Sequence, residues 1–205
     1  PAKISEQLKV LTQPRLLLVY AITAVGYGGT FVAFTYLAPI LEQVSGFESS
    51  SIGLIMLVYG VSVAIGNIWG GKLADRMGPV KALTGIFSAL AIILFVFTFT
   101  AGNQIGAVLT LLIWGAFAFG NVPGLQVYVV QLAQKHTPNA VDVASGLNIA
   151  AFNVGIAIGS IIGRVVVEDM ELMDTPWVGA SIVIFAIVLT RLSGFLDSRE
   201  QVKAI

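Results

Sequence analysis

Six apolar stretches, separated by short polar connections, dominate the sequence of this chain. In a helix that rises about 1.5 Å per residue, each is long enough to cross the roughly 30 Å hydrocarbon core of a bilayer. Lipid offers no hydrogen-bond partners, so such stretches fold as α-helices whose backbone groups pair internally. The sequence therefore predicts an all-α integral membrane protein. Its six transmembrane helices are expected at residues 16–41, 52–73, 82–101, 104–133, 141–167 and 177–196.

The composition supports a membrane protein and excludes several functional classes. Hydrophobic residues make up 57% of the chain and charged residues 11%, whereas soluble domains have about 45–50% and about 25%. The net charge of zero gives no electrostatic basis for a nucleic-acid partner. Without cysteine, and with His136 as the only histidine, we predict no metal site, no cofactor and no enzyme. His136 itself is expected to be solvated in a polar loop.

The basic residues predict the orientation of the chain in the membrane. Ten of the eleven fall on one side of the predicted helices, and only Arg164 falls on the other. Because lysine and arginine stay preferentially in the cytoplasm, both termini are predicted to be cytoplasmic. The ten are Lys3, Lys9, Arg15, Lys72, Arg76, Lys81, Lys135, Arg191, Arg199 and Lys203.

The domain organisation follows from the same pattern. Residues 1–15 are predicted to be a cytoplasmic linker or surface helix, with Ile4, Leu8 and Leu11 on one face. Residues 16–197 form the six-helix bundle, and residues 198–205 are expected to be a cytoplasmic tail.

A short internal repeat indicates how the six helices are related. Residues 64–70 recur as residues 157–163, with five of seven positions identical. Since the second and fifth helices run in opposite directions, the repeat predicts two inverted three-helix repeats. Its glycines make smooth ridges that let neighbouring helices approach closely. The glycines assigned to helix packing are Gly66, Gly70, Gly155, Gly159 and Gly163.

Polar side chains within the apolar stretches are candidates for a substrate cavity. An amide that faced lipid would leave its hydrogen bonds unmade, and several polar or aromatic residues of the first stretch share one helix face. An alternative is that the amides only bond helix to helix, with no substrate. No carboxylate lies near the middle of a stretch, so no proton-binding carboxylate is expected there. The predicted cavity residues are Tyr20, Thr23, Tyr27, Thr30, Phe34, Asn121, Gln126, Asn148 and Asn153.

The connection between the second and third helices concentrates charge. Residues 71–81 read Gly-Lys-Leu-Ala-Asp-Arg-Met-Gly-Pro-Val-Lys and are predicted to be a short turn. Gly78 gives the backbone freedom to reverse, and Pro79 suits the first position of a helix. Asp75 is expected near that helix start, where a carboxylate is favoured. From spacing alone, a basic turn that only fixes orientation is an equally good interpretation.

These residues resemble the signature loop of the major facilitator superfamily, Gly-x-Leu-Ala-Asp-Arg-x-Gly followed by basic residues. The resemblance covers nearly the whole chain. Two runs, residues 65–67 with 70–76 and residues 148–155, are similar to the drug:proton antiporter branch, and especially to bacterial arabinose and sugar efflux permeases. The resemblance implies half of a major facilitator fold, namely its C-terminal six helices. It also implies proton-driven efflux of sugars or drugs by alternating access, in a bacterial inner membrane.

The resemblance also implies partners and a role for the charged connection, as a latch between the two halves of the transporter. Asp75 would accept hydrogen bonds from a helix end of the N-terminal half, and Arg76 would anchor the turn. Gly71 and Gly78 would permit a close fit, and Lys81 is the one basic residue left where the family has several. The implied partners are the N-terminal six-helix half, membrane lipids, a small-molecule substrate and protons. A half-size membrane structural or interaction module without transport activity remains the alternative.

Overall fold

The structure, a computed structural model, describes residues 7–203. Over that range it contains six long helices and no strand, and each helix is long and apolar enough to cross a membrane. The predicted all-α, six-span architecture is therefore confirmed. The helices are α1 (Pro14–Phe34), α2 (Ser49–Met77), α3 (Pro79–Thr100), α4 (Gln104–His136), α5 (Val141–Asp169) and α6 (Thr175–Lys203). After α1, the chain continues through a helical turn at Leu37–Pro39 and a π-helical turn at Ile40–Val44.

The helix pairs have the symmetry of two inverted repeats. Helix α1 packs mainly on α5 and α6, and α4 packs mainly on α2 and α3. If α1, α2 and α3 are exchanged for α4, α5 and α6, the α1–α5 and α1–α6 pairs become the α4–α2 and α4–α3 pairs. The α1–α4 and α3–α6 contacts are unchanged by this exchange. Helices α1 and α4, which make contacts in both sets, therefore lie at the centre of the bundle.

The recurring glycines lie at these symmetric crossings. A methyl group on Gly66 or Gly70 of α2 would overlap backbone oxygens of α4. One on Gly159 or Gly163 of α5 would likewise overlap backbone oxygens of α1. The helices approach this closely because the glycines carry no side chain. The oxygens concerned are those of Ala116, Gly120, Gly28 and Val32, and Gly155 meets the oxygen of Ala24 in the same way.

The connection between α2 and α3 is shorter than the sequence predicts. Helix α2 runs through Met77 and α3 begins at Pro79, so Gly78 alone reverses the chain, with φ of 81°. The prediction of a turn over residues 71–81 is thus wrong in extent. Asp75 lies in the last turn of α2, and no side chain caps the start of α3. Charge does not end a helix, whereas a left-handed glycine followed by proline does.

The bundle has two ends, which we name the terminal end and the opposite end. The terminal end carries both ends of the described chain, since Arg15 of α1 contacts Asp197 of α6 there; the opposite end carries residues 44–49, 100–104 and 169–175. Near the N-terminus, Leu8 and Leu11 are both about half exposed, at 55% and 49%. Helix α6 continues through most of the predicted tail. Lys3, Ile4, the side chain of Lys203 and residues 204–205 lie outside the described residues.

Candidate functional site

A hydrogen-bonded group of polar side chains joins α1, α4 and α5 inside the bundle. Thr23 Oγ1 donates to Asn148 Oδ1 at 2.7 Å, and Asn148 Nδ2 donates to Gln126 Oε1 at 2.9 Å. Gln126 Nε2 then donates to Ser145 Oγ at 2.5 Å. We call these four residues the polar layer. Three of them were predicted cavity residues, from three helices, and the structure brings them together.

The polar layer is buried at one side and open at the other. Thr23 and Asn148 have no exposed surface, whereas Gln126 and Ser145 are partly exposed. The Gln126 amide is held at both ends, since its Oε1 accepts from Asn148 and its Nε2 donates to Ser145. The layer carries no charge. It is suited to recognising neutral hydrogen-bonding groups rather than ions.

Aromatic rings lie one to two helical turns along α1, α4 and α5 from the polar layer. The ring of Tyr27, in α1, lies 5.2 Å from that of Phe31, 5.5 Å from Phe119 of α4 and 4.9 Å from Phe152 of α5. The last two contacts are edge-on, a favoured geometry for ring pairs. Tyr27 is 7% exposed, and the three phenylalanines around it are partly exposed. These four residues, the aromatic layer, add ring surface beside the polar layer.

A second aromatic group includes two residues that sequence reasoning missed. Phe34 stacks on Tyr59 of α2 at 5.4 Å and meets Trp114 of α4 edge-on at 6.3 Å. Tyr59 Oη, Trp114 Nε1 and Thr30 Oγ1, one helical turn before Phe34, are buried and have no hydrogen-bond partner among the described residues. A buried polar group left unpaired costs about 1–3 kcal/mol. An oxygen atom of a bound ligand that reached them would satisfy these groups.

The other predicted cavity residues are not joined to the polar layer. Tyr20 is partly exposed, and its hydroxyl is buried with no hydrogen-bond partner in the part of the chain that the structure describes. Asn121 is fully buried and donates to Ala118 O of its own helix at 2.8 Å. Asn153 lies on the exposed surface of α5 and donates to Ile149 O at 3.1 Å.

The residues of the predicted latch lie around Gly78 at the terminal end. Asp75, Arg76 and Lys81 are exposed, and the structure records no hydrogen bond or ion pair for them within residues 7–203. Gly71 faces Pro123 of α4, with 3.6 Å between its ideal Cβ position and the proline Cβ. The three charged side chains are therefore available to another surface.

A cluster of charged residues at the terminal end went unpredicted. Arg15 was assigned to a polar surface segment, but it is 7% exposed and pairs with Asp197. His136 was expected to be solvated, and this is wrong. Its side chain is 17% exposed, and its Nε2 lies 3.4 Å from Glu200 Oε2.

Within the part of the chain that the structure describes, no group of three metal-ligating side chains is present.

The sequence of this chain is similar to those of known membrane transporters. The model of the family described as Major Facilitator Superfamily matches residues 1–160. The chain is 51% identical over 199 residues to the uncharacterized MFS-type transporter YtbD of Bacillus subtilis (strain 168), covering 97% of this chain and 50% of that relative. It is 28% identical over 195 residues to a probable sugar efflux transporter of Mannheimia succiniciproducens, covering 92% of this chain and 48% of the relative. The chain thus spans about half the length of these curated relatives.

A solved structure shows the same arrangement of helices. The crystal structure of a bacterial homologue of iron transporter ferroportin, in an outward-facing state, superposes with a TM-score of 0.71 over 95% of this chain and 49% of that one. At 14% sequence identity, this likeness shows the fold alone.

Proposed function

Because this chain belongs to the major facilitator superfamily, we propose that it is the C-terminal six-helix half of a bacterial secondary transporter that exports small organic molecules by alternating access. Its relatives are about twice as long, which supports a second half that completes the cavity. The observation that carries the proposal is the polar layer. A hydrogen-bonded group that joins three helices and opens to one side of the bundle is suited to line a substrate path.

The chemistry of the site supports a neutral or weakly polar substrate, a sugar or a drug-like molecule. The polar layer offers amide and hydroxyl groups, and the aromatic layer offers ring surface against which the apolar face of such a molecule can pack. One relative is named a probable sugar efflux transporter, in keeping with this class. We propose that protons drive the export and that the proton-binding carboxylates belong to the other half, since the cavity residues of this chain are all uncharged.

The membrane orientation follows from the basic residues. Lys72, Arg76, Lys81 and Lys135 lie at the terminal end of the bundle, so we propose that this end faces the cytoplasm of a bacterial cell. Asp75, which is exposed and has no partner within residues 7–203, would then accept hydrogen bonds from the N-terminal half when the cytoplasmic side is closed. Arg76 and Lys81 would flank that contact.

Export by the whole protein tests the proposal, with Thr23→Val as the variant. Valine keeps the shape of threonine but cannot donate to Asn148, so one buried bond of the polar layer is lost. Asn148 and Gln126 would then be less well positioned for a substrate, so we expect KM to rise by roughly tenfold, which corresponds to about 1.4 kcal/mol of binding free energy. Uptake of a panel of sugars and drugs into inverted membrane vesicles, with and without a proton gradient, measures the effect.

Thr98→Val is the matched control, because Thr98 of α3 bonds only to Leu94 O of its own helix, at 3.5 Å. It should leave KM unchanged. An unaltered KM in Thr23→Val would remove the polar layer from the substrate path. The mass of the natural protein can be measured on material made by its native host. A mass near the 21.6 kDa of this chain would contradict the proposal of a transporter half and favour the half-size module instead.

A further inference from the structure

Ion pairs at the terminal end tie α1 to α6. The Arg15 guanidinium pairs with Asp197 Oδ1, and its Nη2 donates to Ser193 O at 3.1 Å. Its Nε lies 3.4 Å from Glu200 Oε1. Arg15 is 7% exposed, so these pairs are shielded from water on one side. The proposed transport function makes no use of them.

The same two carboxylates also hold the end of α4. Tyr128 Oη donates to Asp197 Oδ2 at 2.7 Å, and Lys135 Nζ donates to Glu200 Oε2 at 2.5 Å. Each acidic residue of α6 therefore contacts both central helices. We call Arg15, Tyr128, Lys135, Asp197 and Glu200 the terminal clasp.

The inverted repeat supplies a natural comparison for this junction. When the two repeats are exchanged, the start of α1 falls on the start of α4. The end of α4 then falls on the end of α1, and the end of α6 falls on the end of α3. At that equivalent place, the opposite junction, Ser45 Oγ donates to Ala101 O at 2.7 Å and Gln104 Nε2 donates to Gly46 O at 3.0 Å. These bonds are neutral, so the fold closes such a corner without any charge.

No ion pair joins two helices at the opposite end, as far as residues 7–203 show. The pair formed there, Arg164 with Glu168, lies within α5. The end of α1 is also irregular on that side, since regular helix stops at Phe34 and a π-helical turn follows at Ile40–Val44. Turns of this kind are uncommon and often lie at functional sites.

The difference between the two junctions has a mechanical consequence. Removing one partner of a buried ion pair is strongly destabilising, because the other charge is left uncompensated. Charge-assisted hydrogen bonds are also roughly twice as strong as neutral ones. We propose that the terminal clasp holds α1, α4 and α6 together as one rigid unit, and that the opposite junction is where α1 and α4 separate when the protein changes conformation.

Hydrogen–deuterium exchange of the whole protein in lipid nanodiscs tests this without any substrate, so its outcome is independent of the transport proposal. The comparison is between the two ends of the same regular helices, namely residues 17–23 with 28–34 in α1 and residues 126–132 with 105–111 in α4. In the unmodified protein, we expect exchange to be at least tenfold faster at the opposite end in both helices.

Arg15→Gln should remove that difference. Exchange at residues 17–23 and 126–132 should rise at least tenfold, with little change at the opposite end. Asp197→Asn, which keeps the shape of the side chain, serves the same purpose if Arg15→Gln does not fold. Replacing both Ser45 and Gln104 by alanine should raise exchange at residues 28–34 by less than threefold, because only neutral bonds are lost.

Arg164→Gln is the matched control, since the Arg164 side chain is 70% exposed and its ion pair stays within one helix. It should change neither end. Equal exchange at the two ends of the unmodified protein would overturn the proposal. So would an Arg15→Gln or Asp197→Asn variant whose terminal-end exchange stays within twofold of the original.

Discussion

The crossing of α1 and α5 gives the sharpest test of the fold through Gly28→Ala. An ideal Cβ at Gly28 would lie 2.6 Å from the backbone oxygen of Gly155 and 3.1 Å from its carbonyl carbon. Ordinary contacts of a Cβ begin near 3.4 Å, so the two backbones must separate by nearly 1 Å. Overpacking of this kind typically costs about 1–3 kcal/mol. The same separation would stretch the bond between Thr23 and Asn148, so the polar layer should loosen too.

Gly146→Ala is the matched control on α5. Nothing lies within 4 Å of its ideal Cβ position, and alanine is favoured over glycine in helices by about 0.8–1 kcal/mol. Reversible unfolding of the whole protein in mixed micelles measures both variants. We expect Gly28→Ala to lower the free energy of unfolding by about 1–3 kcal/mol and Gly146→Ala to leave it unchanged or slightly raised. A Gly28→Ala variant as stable as the original would refute the close crossing.

Three further substitutions test two buried hydroxyls and the proposed latch. Tyr59→Phe removes a buried hydroxyl without a partner and should raise the free energy of unfolding by about 1 kcal/mol. Tyr128→Phe removes a hydroxyl that is bonded to Asp197 and Ser193, and it should lower the free energy of unfolding by about 1–2 kcal/mol. Equal effects of the two substitutions would contradict the difference in hydrogen bonding between these hydroxyls. Asp75→Asn should cut export in vesicles while membrane insertion stays normal, and unchanged export would count against the latch.

The candidate site could be predicted only in part. Asn148 and Asn153 are both amides of α5 and look alike in the sequence, yet the first lies in the polar layer and the second on the exposed surface. Which amide faces inward depends on the rotation of the helix against its neighbours. Tyr59 and Trp114 were missed for the same reason, because an aromatic residue in an apolar stretch carries no sign of its partners.

What the sequence by itself determined is local. The lengths of the apolar stretches fixed six helices, because a backbone in lipid must pair its own hydrogen bonds. The glycine pattern marked the close crossings, and Gly78 with Pro79 marked one reversal of the chain. Only the tertiary structure decided the pairing of distant residues. Arg15 and Asp197 are 182 residues apart, and their ion pair requires α1 and α6 to meet in one register, which depends on the packing of the whole bundle.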